Sequence, residues 1–325
     1  MTRIFFLAGL IAIVFAAGCS RNDEAARTEK VDSSLVASLM EASWAAPDTS
    51  SLPHDVSGDL IRYGRELVAG TGAYFGPGGK LNHFANGMNC QNCHLDAGTK
   101  LYANSFSAVY ANYPKFRPRS GTVEHLEKRI NDCMERSLNG NKLDSLSHEM
   151  RAMVAYINWV GQGVKKGETP EGASVADVPY LDRAADTALG RAAYAKHCVT
   201  CHGADGQGKP RDTAAGYLYP PLWGPHSYND AAGLYRLSRF AGFIRSNMPN
   251  LTSSHDKPVL TREEAWDIAA YVNSQPRPSK KFVHDWPDIS KKPVDLPFGP
   301  YADQFSELQH KYGPYKAIKA ASVKK

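Results

Sequence analysis

Apolar positions in this 325-residue chain fall into helical blocks broken by proline and glycine, and the blocks form two similar sets. In the first set, Leu60, Ile61, Tyr63, Gly64 and Leu67 predict a helix over 59–68. An aromatic run follows (Tyr102, Phe106, Tyr110, Tyr113), where Pro114 and Pro118 exclude a continuous helix. The spacing then predicts helices over 122–138 and 147–160, the latter carrying Met150, Met153, Val154, Tyr156, Ile157 and Trp159. The second set predicts helices over 187–197, 230–245 and 262–273. Ala155-Tyr156-Ile157-Asn158 near the end of the first set returns as Ala270-Tyr271-Val272-Asn273 near the end of the second. One helical unit is used twice, and the expected class is all-α.

The ends differ in character. Arg3 and the apolar run over 4–17 read as a signal peptide, too short for a comfortable membrane span. Ala16-Ala17-Gly18-Cys19 resembles a bacterial lipobox, which makes Cys19 a candidate lipid anchor. A polar tether precedes a short helix expected over 35–44, which Pro47 and Pro53 bring to a stop. The expected divisions are a signal peptide (1–18), a tether and N-terminal segment (19–55), a first domain (56–165), a linker (166–185), a second domain (186–280) and an extended wrapping tail (281–325).

Cysteine placement gives the repeated unit a chemistry. Cys90-Gln91-Asn92-Cys93-His94 and Cys198-Val199-Thr200-Cys201-His202 each set two thiols on one side of a turn, with a histidine directly after. One Cys-x-x-Cys alone fits a redox dithiol or half a zinc site. Two copies with histidine in an exported chain fit two covalently attached c-type haems, bound through Cys90, Cys93, Cys198 and Cys201, with His94 and His202 on iron. Gly203 to Gly208 and Pro220-Pro221-Leu222-Trp223 resemble class I cytochromes c, in which a proline carbonyl accepts the proximal histidine N–H. That resemblance implies two class I cytochrome c domains in tandem. It also gives Gly64 a role, as a small residue where the first and last helices of a domain cross.

The six cysteines leave one thiol, Cys133, unclaimed by haem attachment or export. The formal net charge of +5 is mild and no basic cluster is long enough for a nucleic-acid binder. For the sixth position of the second iron Met248 is the candidate, held by Pro249 after a helix. For the first iron the candidates are Met134, Met150, Met153, His125, His148 and Cys133. Met150 and Met153 read as core, and His125 and His148 as surface. Cys133 stands where a class I domain places its sixth ligand. Helical projection puts Arg129 and Arg136 to one side of it and Val123, Ile130 and Ser137 to the other.

Pro118-Arg119-Ser120-Gly121, the run from Arg129 through Cys133 to Gly140, the run Ile61 to Leu67 and the run Gly87 to His94 together resemble the dihaem thiosulfate dehydrogenases, which also act as tetrathionate reductases. The likeness covers about 44–275, and the Cys133 segment is its most specific part. It implies that the first haem, with His/Cys ligation, is the active site and that the second relays electrons to a periplasmic carrier. By position, Cys133 matches the ligand cysteine, and Arg119, Arg129 and Ser137 match substrate-site residues. Some members carry lysine directly before the second-haem methionine; here that residue is Asn247.

The reaction so implied joins two thiosulfates into tetrathionate. Two dianions about 4 Å apart repel by roughly 4 kcal/mol even in water. Arg119, Arg129 and Arg136 are the cations expected to offset this, while Lys115, Arg117 and Lys128 dress the entrance. Two other classes remain open from the sequence: a non-catalytic dihaem electron carrier, and the haem–thiolate cytochrome of a sulfur-oxidation complex. A dihaem peroxidase is disfavoured by the lack of an evident open distal position.

Overall fold

The computed structural model describes residues 44–212 and 216–323. The expected signal peptide, Cys19 and the helix expected over 35–44 lie outside the described residues, apart from Trp44. The first half is built on α1 (Val56–Ala69), α2 (Leu126–Arg136) and α3 (His148–Gly161). The second half uses α4 (Thr187–His197), α5 (Leu237–Asn247) and α6 (Arg262–Ser274). Local chemistry sets the starts of the long helices. Asp55, Ser147, Asp186 and Thr261 each accept a hydrogen bond from a first-turn amide, and Thr261 completes a capping box with Glu264.

In each half the first and last helices cross face to face, α1 on α3 and α4 on α6. Glycine makes the crossing possible. A Cβ on Gly64 would lie 1.9 Å from the Ala152 carbonyl oxygen, and one on Gly190 would lie 1.8 Å from that of Asp267. The helices would have to separate to admit a methyl group. Gly64→Ala is therefore expected to destabilise the folded holoprotein by about 1–3 kcal/mol. Denaturant unfolding followed by circular dichroism measures this, and an unchanged midpoint would disprove the crossing argument.

Two helices begin later than their periodicity suggests. Residues 122–124 form a strand, not helix: β1 (Lys115–Arg117) pairs antiparallel with β2 (Thr122–Glu124), with Phe116 opposite Val123. Gly121, at φ 67°, makes the turn that a helix through this segment could not. The helix expected over 230–245 starts only at Leu237, after a 3-10 turn at Gly233–Tyr235. Its first turn is capped from far along the chain: Asp295 accepts the Ser238 amide at 3.0 Å and pairs with Arg236 at 2.8 Å. A second small ribbon, β3 (Lys209–Pro210) with β4 (Tyr217–Tyr219), leaves the protein mainly helical.

The halves interlock. Tyr228, Ala232 and Tyr235 enter the first core, and Ala103 enters the second. Asn86 donates to the Ser227 carbonyl, and Asn229 to those of Glu135 and, through its backbone amide, Arg136. The expected linker also contributes to the core, since Val175, Val178, Leu181 and Ala185 are buried with the second half. The tail is more than an extended wrap. It ends in α7 (Glu307–Tyr312) and α8 (Tyr315–Val323), and Tyr315 and Ile318 are buried beside Trp266. No helix among the described residues is long and apolar enough to cross a membrane.

Candidate active site

The first Cys-x-x-Cys-His motif opens on a cavity of about 310 Å³. Its walls are mainly apolar, with Val68, Met88, Phe106, Ile130, Met153 and Ile157 among them. Cys90 and Cys93 line it, and burial pushes both thiols up to about 12, which favours the neutral form. His94 Nδ1 donates to the Asn104 carbonyl at 2.6 Å, so Nε2 is the nitrogen left for a ligand. Asn104 holds φ 54°, a left-handed conformation that asparagine tolerates well.

The second motif repeats the arrangement. His202 Nδ1 donates to the Pro220 carbonyl at 2.9 Å, as the class I resemblance implied. Burial lowers the His202 pKa and keeps the imidazole neutral, the form that ligates iron. Met248 directly follows α5 as its C-cap residue and packs against the core of the second half. Asn247, directly before it, is fully buried. Its amide donates to Tyr102 O at 3.0 Å and Phe243 O at 2.9 Å, tying the Met248 loop to the first half. The thiol pairs and oriented histidines of both motifs, with the apolar cavity at the first, fit a covalent haem in each half.

Cys133 lies on α2 and faces the first cavity together with His94, close enough for a hydrogen bond between them. Arg129, one turn earlier, donates from Nη1 to Cys133 Sγ at 3.2 Å. Burial opposes the thiolate, but the Arg129 guanidinium and His94 outweigh it and draw the thiol down to about 7. The Arg129 pKa moves up in return, chiefly through the Cys133 charge. Ser137 lines the same cavity one turn further on.

The other expected cations sit elsewhere. Arg136 shares the helix but turns away from the thiol: it is buried, grips Asp285 through two bonds of 2.7 and 2.8 Å, and lies over the Phe282 ring. Asp285 is some 150 residues away in the chain, and helical spacing carried no sign of it. Arg119 lines a second cavity. Burial first, then Arg136 and Arg129, lowers its pKa to about 10. Lys115 and Arg117 do stand at the rim of the first cavity, whereas Lys128 is occupied by Asp132.

The aromatic run divides too. Phe106 and Tyr113 wall the first cavity. Tyr102 instead stacks on His255 with ring centres 3.5 Å apart, and Tyr110 is exposed. Met150 and Met134 are core residues, while His125 and His148 are exposed. The Asn104 carbonyl was not legible, because any residue can supply a carbonyl and only the turn of the backbone selects one.

Two haem-attachment units in two helical halves define a dihaem c-type cytochrome. Residues 81–165 match the family model described as SoxA/TsdA, cytochrome c domain, and residues 187–276 match that for cytochrome c. The thiosulfate dehydrogenase of Stutzerimonas stutzeri is 33% identical over 266 residues, covering 82% of each chain. That of Allochromatium vinosum is 39% identical over 237 residues, 71% of this chain and 83% of that one. A solved structure of thiosulfate dehydrogenase (TsdBA) from Marichromatium purpuratum, at 33% identity, aligns with a TM-score of 0.67 over 73% of this chain, which spans 50% of that longer one. This chain belongs to the thiosulfate dehydrogenase family, and it carries two covalently bound haem c groups.

Proposed function

We propose that this enzyme interconverts two thiosulfates and tetrathionate at Cys133 and exchanges the electrons with a periplasmic carrier through the second half. One observation carries the reading: the Cys133 thiol, held 3.2 Å from a guanidinium, lies beside the histidine of a haem-attachment motif in the wall of one cavity. In this reading His94 and Cys133 hold the first iron, and His202 and Met248 the second. When bound, the haems supply one-electron acceptor and relay chemistry.

The chain supplies the sulfur chemistry. The Cys133 thiolate bonds to the outer sulfur of one thiosulfate, forming a sulfur–sulfur bond as two electrons leave the site. A second thiosulfate then attacks that outer sulfur. The new bond becomes the centre of tetrathionate, and the bond to Cys133 breaks to return the thiolate. Arg129 serves twice: it favours the thiolate before attack and stabilises Cys133 as the leaving group afterwards. Ser137 orients the bound oxoanion by hydrogen bond.

Purified haem-loaded protein should reduce ferricyanide with thiosulfate and oxidise a reduced dye with tetrathionate. Absence of both activities would refute the reading. The relative rates of the two assays, together with the haem potentials, give the working direction. Export to the periplasm and lipid attachment at Cys19 complete the proposal, and the mass of the mature N-terminus tests them.

Met248→Ala should remove the long-wavelength sulfur–iron absorption band of the second haem and slow electron exit, while thiosulfate binding at the first half persists. A wild-type spectrum in this variant would assign the ligand to another residue. Asn247 uses both amide protons on backbone carbonyls, which speaks for methionine as a fixed ligand without a lysine alternative.

A further inference from the structure

Tyr102 holds a conformation that a bulky side chain rarely takes, at φ 57°, and contacts on every side fix it there. Its amide donates to the Gly172 carbonyl at 2.6 Å and its hydroxyl to Glu171 at 2.7 Å, both in the expected linker. Its carbonyl accepts from the Asn247 side chain at 3.0 Å. Its ring lies flat on that of His255, with centres 3.5 Å apart and planes 4° apart. His255 Nδ1 is buried with no hydrogen-bond partner among the described residues, so this ring is held by stacking and not through that nitrogen.

The surroundings of Tyr102 belong to both haem-attachment sites. Two residues on, the Asn104 carbonyl accepts His94 Nδ1 at 2.6 Å, and the Asn104 side chain donates to the Cys93 carbonyl at 3.1 Å. On the other side, Asn247 directly precedes Met248, and His255 lies in the loop that follows it. Between these ends Ala103 is fully buried in the core of the second half, against which Leu95, next to His94, and Met248 also pack. The stretch 102–104 therefore runs from the hydrogen bond of the first histidine to the methionine loop of the second half.

The acceptor on Nδ1 governs how a histidine binds iron, because it fixes the ring and raises the basicity of Nε2. A carbonyl serves in this way only where the backbone aims it. Asn104, at φ 54°, is aimed by a left-handed backbone that it shares with Tyr102. Freed from its contacts, Tyr102 would relax to an ordinary conformation and turn the Asn104 carbonyl away from His94. The same relaxation would withdraw the Tyr102 carbonyl from Asn247 and leave a buried amide proton unpaired beside Met248.

We propose that Tyr102 is a positioning residue for both irons: it fixes 102–104 so that the His94 hydrogen bond and the Met248 loop are set together. The inference rests on the proposed ligands His94 and Met248, and it involves neither substrate binding nor Cys133. It gives the relay a shared alignment, since one residue holds the ligand segments at both ends of the electron transfer.

The test reads each end separately in full-length haem-loaded protein. In reduced Cys133→Ala protein, the resonance Raman iron–histidine stretch reports the Nδ1 hydrogen bond at the first haem. In oxidised protein, the long-wavelength sulfur–iron band reports Met248. Tyr102→Ala should lower the stretch, weaken the band and, in the chain that keeps Cys133, slow turnover about tenfold. Tyr102→Phe keeps the stacked ring and should retain both spectra. Asn247→Leu breaks the far contact without altering 102–104 and should also lower the first-haem stretch. A folded Tyr102→Ala protein with both spectra at the parental position would overturn the proposal and leave Tyr102 a packing residue, whatever its unfolding midpoint. A band that moves alone in Tyr102→Ala and Asn247→Leu would overturn it too, by confining the contact to the second half. A natural chain without the sulfur–iron band would refute Met248 ligation itself, distinguishably from a loss confined to the variants.

Discussion

Replacing Cys133 with alanine will abolish thiosulfate–tetrathionate interconversion, by at least about 10³-fold, and will convert the first haem from low-spin to high-spin. Both effects follow from one sulfur atom. Cys133 is the thiol that lies beside His94 in the cavity wall, and its charge is supported by Arg129 at 3.2 Å. Loss of the side chain removes the proposed nucleophile, leaving group and sixth ligand together. A histidine at this position should restore low-spin iron without restoring turnover, because an imidazole cannot form and release a sulfur–sulfur bond. Electron paramagnetic resonance and the ferricyanide assay on the same samples separate ligation from catalysis. Full activity without Cys133 would leave an electron carrier as the surviving account. Turnover that appeared only with a carrier protein's cysteine as acceptor would favour the sulfur-oxidation-complex cytochrome, whose cytochrome c domain falls under the same family description.

Arg129→Ala will lower kcat/KM for thiosulfate by roughly 10²–10³-fold while both covalent haems are retained. The half-buried guanidinium lies against the thiol, so its removal takes away a charge-assisted hydrogen bond and the main force that draws Cys133 down to about 7. Lysine should recover part of the loss, since it restores charge without the planar fork. The two variants are compared by steady-state kinetics, with the absorption spectrum checking that haem attachment is intact. Arg136→Ala should behave differently. Its partner is Asp285, so the variant is read first in the unfolding midpoint of the tail contact and only secondarily in kcat/KM. Equal losses of kcat/KM at Arg129 and Arg136, with unchanged stability for both, would contradict this division.

Much of this protein is determined by residues close together in sequence. The two Cys-x-x-Cys-His motifs specify haem attachment because five consecutive residues carry all the covalent chemistry. The pairing of Arg129 with Cys133 follows from helical geometry, since residues four apart share a face. The repeat of helices around Ala-Tyr-Ile/Val-Asn was equally legible, and so, through the class I resemblance, was Gly64 at the first crossing, whereas the matching role of Gly190 emerged only from the fold. Tertiary structure decided the rest. It chose the Asn104 carbonyl for His94, sent Tyr102 to His255 instead of the haem wall, and began α2 after a hairpin that local periodicity does not reveal. It also separated three arginines that look alike in the sequence: Arg129 was given to the thiol, Arg136 to Asp285, and Arg119 to a cavity completed by the tail. Periodicity pairs Arg129 with Cys133 within one helix, but Arg136 and Arg119 acquire their surroundings from residues that the fold brings in from more than a hundred positions away.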